Sequence, residues 1–188
     1  MAVKTFTTEV LTSADTNTYL ANSGLVYVTS VTATTGTTLN IDNIFSATFR
    51  NYRIILDDVR LAGLSGLALS LRVGGTTNST TYYNMRQGFD YSTTLASPAG
   101  TSNGGSWNIA CIVNGGGAAQ CVIDIFNPFG TQITGYTSQG TDSRTSGGVG
   151  ALSSSGFHNT TSSFTGIQIG SAQTYTNMNV TVYGYRIG

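Results

Sequence analysis

The stretch WNIACIVNGGGAAQCVIDIF, Trp107 to Phe126, decides how the rest of the chain is read. Trp107, Ile109, Cys111 and Val113 alternate with Asn108, Ala110 and Ile112; after a glycine-rich break, Cys121, Ile123 and Ile125 alternate with Val122, Asp124 and Phe126. A period of two places successive side chains on opposite faces of an extended backbone, so both segments predict strands with one face inward. If residues 114–118 (NGGGA) turn with Gly116 at the centre, the strands form a hairpin that pairs Cys111 with Cys121, Ile109 with Ile123 and Trp107 with Ile125. That register makes neighbours of the only two cysteines. They read as a cross-strand disulfide, as half of a metal site, or as two small apolar core residues, and a reducing cytoplasm favours the last. Two cysteines and one histidine without a C-x-x-C spacing do not make a zinc site.

The same period recurs outward from this stretch. Leu67, Leu69, Leu71 and Val73 alternate with Ala68, Ser70 and Arg72, and further strands are expected at 26–34, 52–59, 81–86, 131–137, 164–169 and 178–187. Clusters such as GTT, NGGG, SNGG, TSGGVG and SSSG read as turns and loops between them. The segment DNIFSATF, 42–49, reads as a corner or a single helical turn. Eight to ten short strands with no long amphipathic helix predict an all-β fold, an antiparallel β-sandwich of jelly-roll type, and no fixed repeat suggests a propeller or solenoid.

At 188 residues the chain suffices for one domain with a real core. It divides into an N-terminal arm, 1–24, and a sandwich domain, 25–188. The arm holds LTSADTNTYLANSG, in which Thr12 caps, Asp15 reaches back and Gly24 stops a short helix over 13–22. Thr16, Asn17 and Thr18 are poor helix formers, so this helix needs outside support, and Leu11, Tyr19 and Leu20 are its apolar contacts. The arm is the expected attachment or subunit-contact element.

Only 9% of the residues are charged and the formal net charge is zero, which argues against a polyanion-binding stripe and hence against nucleic acid. Seven of the eight basic residues are Arg, the residue suited to buried or interfacial pairing. The N-terminus has no apolar signal region and no stretch is long enough to span a membrane, so a protein made in the cytoplasm is expected. Catalytic chemistry is absent from the pattern, and no enzyme or cofactor is expected. His158 lies in SSSGFHNTT and reads as a surface-loop residue; Asp57 and Asp58 point to opposite faces of a strand, one of them pairing with Arg53 or Arg60; Asp90, Asp124 and Asp142 read as isolated. No nucleophile elbow or phosphate loop occurs. Tyr82, Tyr83 and Tyr91 flank a polar connection and are the candidate receptor or glycan contacts, weighed against half-buried strand tyrosines.

LTSADTNTYLANSGLVYV at 11–28, FSATFRNYRIIL at 45–56, DIFNPF at 124–129 and VTVYGYRIG at 180–188 together resemble a family of small virion structural proteins of tailed bacteriophages, phages of cyanobacteria among them. The resemblance implies a β-sandwich on the outer surface of the virion, assembled as a homotrimer. Two roles follow from it: a capsid decoration (cement) protein bound to the major capsid protein, or a tail fibre or tail accessory component that meets the host surface and its glycans. A free carbohydrate-binding module is a third reading, and the short chain without heptads or shaft repeats favours decoration.

Overall fold

Burial follows the two-residue period strand by strand. A computed structural model describes residues 24–90, 95–144 and 148–186 and contains thirteen strands among them, numbered in chain order. One layer runs from edge to edge as β1 (Leu25–Ala33), β13 (Tyr175–Tyr185), β3 (Asn51–Leu61), β9 (Ala119–Phe126), β10 (Thr134–Arg144), β11 (Gly148–His158), β6 (Tyr82–Asp90) and β7 (Leu95–Gly104). The other runs β2 (Thr38–Ile41), β12 (Gly166–Ser171), β4 (Ser65–Val73) and β8 (Trp107–Val113), with the short β5 (Thr76–Thr77) beside β4. Neighbours within each layer are antiparallel, and the fold is all-β and sandwich-like. The arm's helix, 13–22, lies outside the described residues.

The core is the sum of the inward rows. Tyr52, Ile54 and Leu56 of β3, Ile123 and Ile125 of β9 and Val180 and Val182 of β13 join one buried cluster with Leu67, Leu69 and Leu71 of β4, Ile167 and Ile169 of β12 and Trp107, Ile109 and Val113 of β8. Each fully buried aliphatic or aromatic side chain contributes about 1.5–3 kcal/mol of transfer free energy, so this cluster is what drives the layers together. Residues 42–49 form a corner without helix; Ile44 and Phe45 fold into the core, and Phe45 tilts on Tyr52 at 4.7 Å between ring centroids.

The expected hairpin at 107–126 does not form. β8 and β9 begin from the predicted turn, closed by a 3.0 Å bond from Gly117 N–H to Asn114 C=O, and then part, because β10 stands between them in the sheet order. β10 pairs antiparallel with β9 from Gly135 to Gly140, then parallel with β8 at Asp142 and Ser143, and this two-residue pairing joins the two layers. Gly140 sits at the exchange, where a Cβ would overlap the carbonyl oxygen of Ala110 and come within 2.6 Å of that of Gln120. Cys111 and Cys121 are therefore not cross-strand partners. Both are buried thiols, and burial, with Cys111 nearby, raises Cys121 well above the usual thiol range.

Strands also occupy segments read as loops. β7 contains SNG of the SNGG cluster and β11 contains SSSG, and β11 is paired along its length with β10 and from Gly150 to His158 with β6. Gly156 of β11 fits because it has no side chain: a Cβ there would overlap Tyr83 O and lie 2.8 Å from Asn84 Cα. Substituting Gly156→Ala is expected to lower unfolding free energy by about 2 kcal/mol or more. Gly170→Ala in β12, with nothing within 4 Å, should stay within about 1 kcal/mol of the parent, and urea titration of both variants checks the contrast.

Candidate functional site

Residues that point away from the core of the eight-stranded layer form an uncovered face, and strand register arranges them in rows. The first row reads Leu25, Tyr185, Asn51, Phe126, Gly135, Phe157 and Tyr83 across seven adjacent strands. The second reads Tyr27, Tyr183, Arg53, Asp124, Thr137, Ser155 and Met85. The third crosses Val122, Gln139, Ser153 and Gln87. Of the exposed large apolar side chains among the described residues, Leu25, Tyr27, Met85, Val122, Phe126 and Phe157 lie on this face, and Met85 is 64% exposed. Exposed apolar groups gathered on one surface, rather than scattered, mark a contact site.

Two stretches of the face carry distinct chemistry. Toward β13, Arg53 grips Asp124 through two bonds, Nε to Oδ1 at 2.8 Å and NH2 to Oδ2 at 2.7 Å, while the Tyr185 hydroxyl donates to Asp124 Oδ1 at 2.7 Å. Arg53 also lies 5.6 Å from the Tyr185 ring centroid. The Arg53 hydrogen bonds hold the Asp124 carboxyl below its ordinary range, and the same pair raises Arg53. Asp124 is thus paired rather than isolated. Asp58 takes Arg60, at 2.7 Å, as its strand-mate partner, and Asp42 takes the buried Arg72 at 2.8 Å. These charges are occupied by one another.

Toward β6 the face is aromatic and neutral. Tyr83 and Phe157 stack at 5.0 Å with rings 11° apart, and a groove of about 360 Å³ runs beside them, bordered by Met85, Thr101 and Ser155. A second groove of about 190 Å³, bordered by Met85, Arg86, Gln87, Ser153, Ser154 and Ser155, continues it. Phe126 leans over Gly135, its Cδ2 3.6 Å from where a Cβ would stand.

The floor beneath this end corrects two expectations. Tyr82 is not at the surface: it is fully buried, its hydroxyl accepting from Leu71 N–H at 2.7 Å and donating to Asn78 C=O at 3.2 Å, and burial pushes its pKa up to about 12. Alternation sends Tyr82 inward and Tyr83 outward, so Tyr83 alone of the pair meets the groove. His158 is not a loop residue but the buried last residue of β11. Its Nε2 is 3.1 Å from Thr81 Oγ1 and 3.2 Å from Asn78 Oδ1, Thr160 Oγ1 is 3.1 Å from Nδ1, and its ring packs against Tyr82 at 4.4 Å and Phe164 at 5.0 Å. Tyr91, Leu11, Tyr19 and Leu20 lie outside the described residues. Among the described residues no group of His, Cys, Asp or Glu is placed to hold a metal ion. Phe126 and Phe157, absent from the sequence-based candidates, are the main additions; Phe126 shows in the outward alternation of β9, whereas Phe157 is hidden in a serine-rich run.

No family model matches the chain, and no curated protein matches it.

Burial lowers the pKa of His158, the single histidine, below its ordinary 6.5. The unfolded chain then binds a proton that the folded one refuses, so stability is full above about pH 6.5 and falls as pH drops through the window toward the folded value. Denaturation midpoints should decline between pH 7 and 5.5, above the carboxylate range, and His158→Gln should flatten that slope.

Proposed function

We propose that this chain is a non-catalytic structural protein of the outer surface of a tailed-bacteriophage virion, a capsid decoration protein that works as a homotrimer against the major capsid protein. The observation that carries the reading is the uncovered face: a broad sheet surface of little net charge with exposed apolar groups, on a body whose described Arg–Asp pairs cancel one another within the chain. Such a surface suits protein–protein contact within a symmetric assembly, and the four sequence segments that resemble phage virion proteins supply the setting. Leu25 and Tyr27 stand on edge strand β1, and in this reading the arm, with Leu11, Tyr19 and Leu20 as its apolar contacts, continues in sequence into the β1 end of the face and shares its attachment role. Neither nucleic acid nor membrane is a partner in this reading; the protein is made in the host cytoplasm and joins the particle there. A tail fibre or tail accessory role is the second reading, favoured by the aromatic grooves at the opposite end of the face.

Mass spectrometry of purified virions separates the two. Decoration requires copies on the order of hundreds, matching the multiplicity of a symmetric shell; a few tens or fewer assign the chain to the tail. Undecorated capsids should take up the full chain and refuse one lacking residues 1–24, and uptake of the shortened chain at full occupancy overturns the arm's role.

A further inference from the structure

We propose that the outward side of β10, β11 and β6 binds a neutral oligosaccharide that lies across the strands. This site belongs to the chain itself and stands whether the protein sits on a shell or a tail. Three observations combine. The first row supplies a continuous apolar strip, Phe126 over Gly135 and then the Phe157–Tyr83 stack, crossing β9, β10, β11 and β6. Three inter-strand spacings make that strip about 14 Å long, the length of a short oligosaccharide rather than a single sugar. Beside it, the second and third rows present hydroxyls and amides, Thr137, Ser155, Gln139, Ser153 and Gln87, along the two grooves.

A sugar ring has an apolar face of C–H groups and a rim of hydroxyls, and this surface is divided the same way. Ring faces can pack on the strip while the hydroxyls exchange hydrogen bonds with groups that both donate and accept. A flat apolar protein partner would desolvate those same hydroxyls and amides without satisfying them, a cost of about 1–3 kcal/mol for each unmet group. Charge sets the class further. No described side chain on the outward side of β6 or β11 is charged: Arg86 of β6 borders the smaller groove but points by alternation to the other side, its NH1 3.4 Å from where a Cβ on Gly66 of β4 would stand, and Arg53 and Asp124 neutralise each other. An acidic or sulfated glycan lying on this side finds no outward-pointing cation on β6 or β11, so the ligand is neutral.

The test uses the full chain and immobilised neutral oligosaccharides of glucose, galactose and N-acetylglucosamine, one to six sugars long, with heparin as the acidic comparison. At least one neutral series should bind, more tightly from one sugar to three and little further beyond. Phe157→Ala should weaken binding about tenfold or more, and Met85→Ala, a change at a 64% exposed position, should weaken it with the melting temperature unchanged. Leu64→Ala, exposed in the β3–β4 loop, should leave binding as it was. The proposal is overturned if no neutral oligosaccharide binds at millimolar concentration, if heparin binds and the neutral series do not, or if Phe157→Ala and Met85→Ala both bind like the parent. It is equally overturned if sedimentation shows the chain pairing through this face, with Phe157→Ala releasing monomers.

Discussion

The close backbone approach at Gly140 is the constraint on which the architecture depends. Among the described residues β10 is the only strand paired in both layers, and it changes partner from β9 to β8 within a few residues. For that exchange the end of β8 and the start of β9 must reach the same point on β10, so the carbonyls of Ala110 and Gln120 both crowd Gly140. Any side chain there would hold one of the two strands away. With the approach made, the chain leaving β8 turns at Asn114–Gly117 and re-enters the opposite layer, and the rows of Trp107, Ile109 and Val113 face those of Ile123 and Ile125 across a core instead of along one sheet. The large layer then keeps an outward face with nothing over it among the described residues.

A short polar seam fixes the layers' relative position. Trp107 stacks on Tyr136 at 4.4 Å and donates through Nε1 to Phe157 C=O at 3.2 Å. Tyr136 and Ser154 share a 2.5 Å hydroxyl contact, Ser154 donates to Asn108 C=O at 2.8 Å, and Ser138 accepts from Ala110 N–H at 3.0 Å. Apolar packing alone tolerates sliding; satisfied buried hydrogen bonds do not, because a shifted register strands each partner in a low-dielectric interior. The seam runs beneath β11, so the strand that presents Phe157, Ser155 and Ser153 outward is anchored from below through Ser154 and through the backbone of Phe157. These bonds hold the aromatic end of the face from below.

Legibility in the sequence tracked how completely a strand's two faces differ. β3, β4, β8, β9 and β13 each bury one alternating apolar row, and their positions follow from the period. β7 and β11 do not: LASPAGTSNG and GVGALSSSGFH are small and polar, and their strand character comes from tertiary pairing on flanking strands, which no local pattern encodes. The pairing of β8 with β9 failed for a related reason. A symmetric apolar register across a glycine turn fits a hairpin and an inter-layer crossover equally well, and only β10, remote in sequence, selects between them. Of the candidate contacts, Tyr83 stands on the outward side of β6, while Tyr82, one residue away, belongs to the core by parity alone.

The same parity explains why so few charges suffice. Arg72 is 6% exposed yet fully engaged, by Asp42, by Thr77 Oγ1 at 2.6 Å and by the Gly75 carbonyl; Arg53 and Arg60 each meet an aspartate. Exposed ion pairs of the Arg60–Asp58 kind contribute little stability in water, and their effect is to cancel charge on the surface that carries them. Bidentate Arg53–Asp124 does this in the middle of the outward face, dividing the apolar β1 end from the aromatic β6 end without giving either a net sign. A charged face would select partners by attraction at a distance. With its charges paired, this one offers shape and hydrogen bonding at contact rather than a net sign.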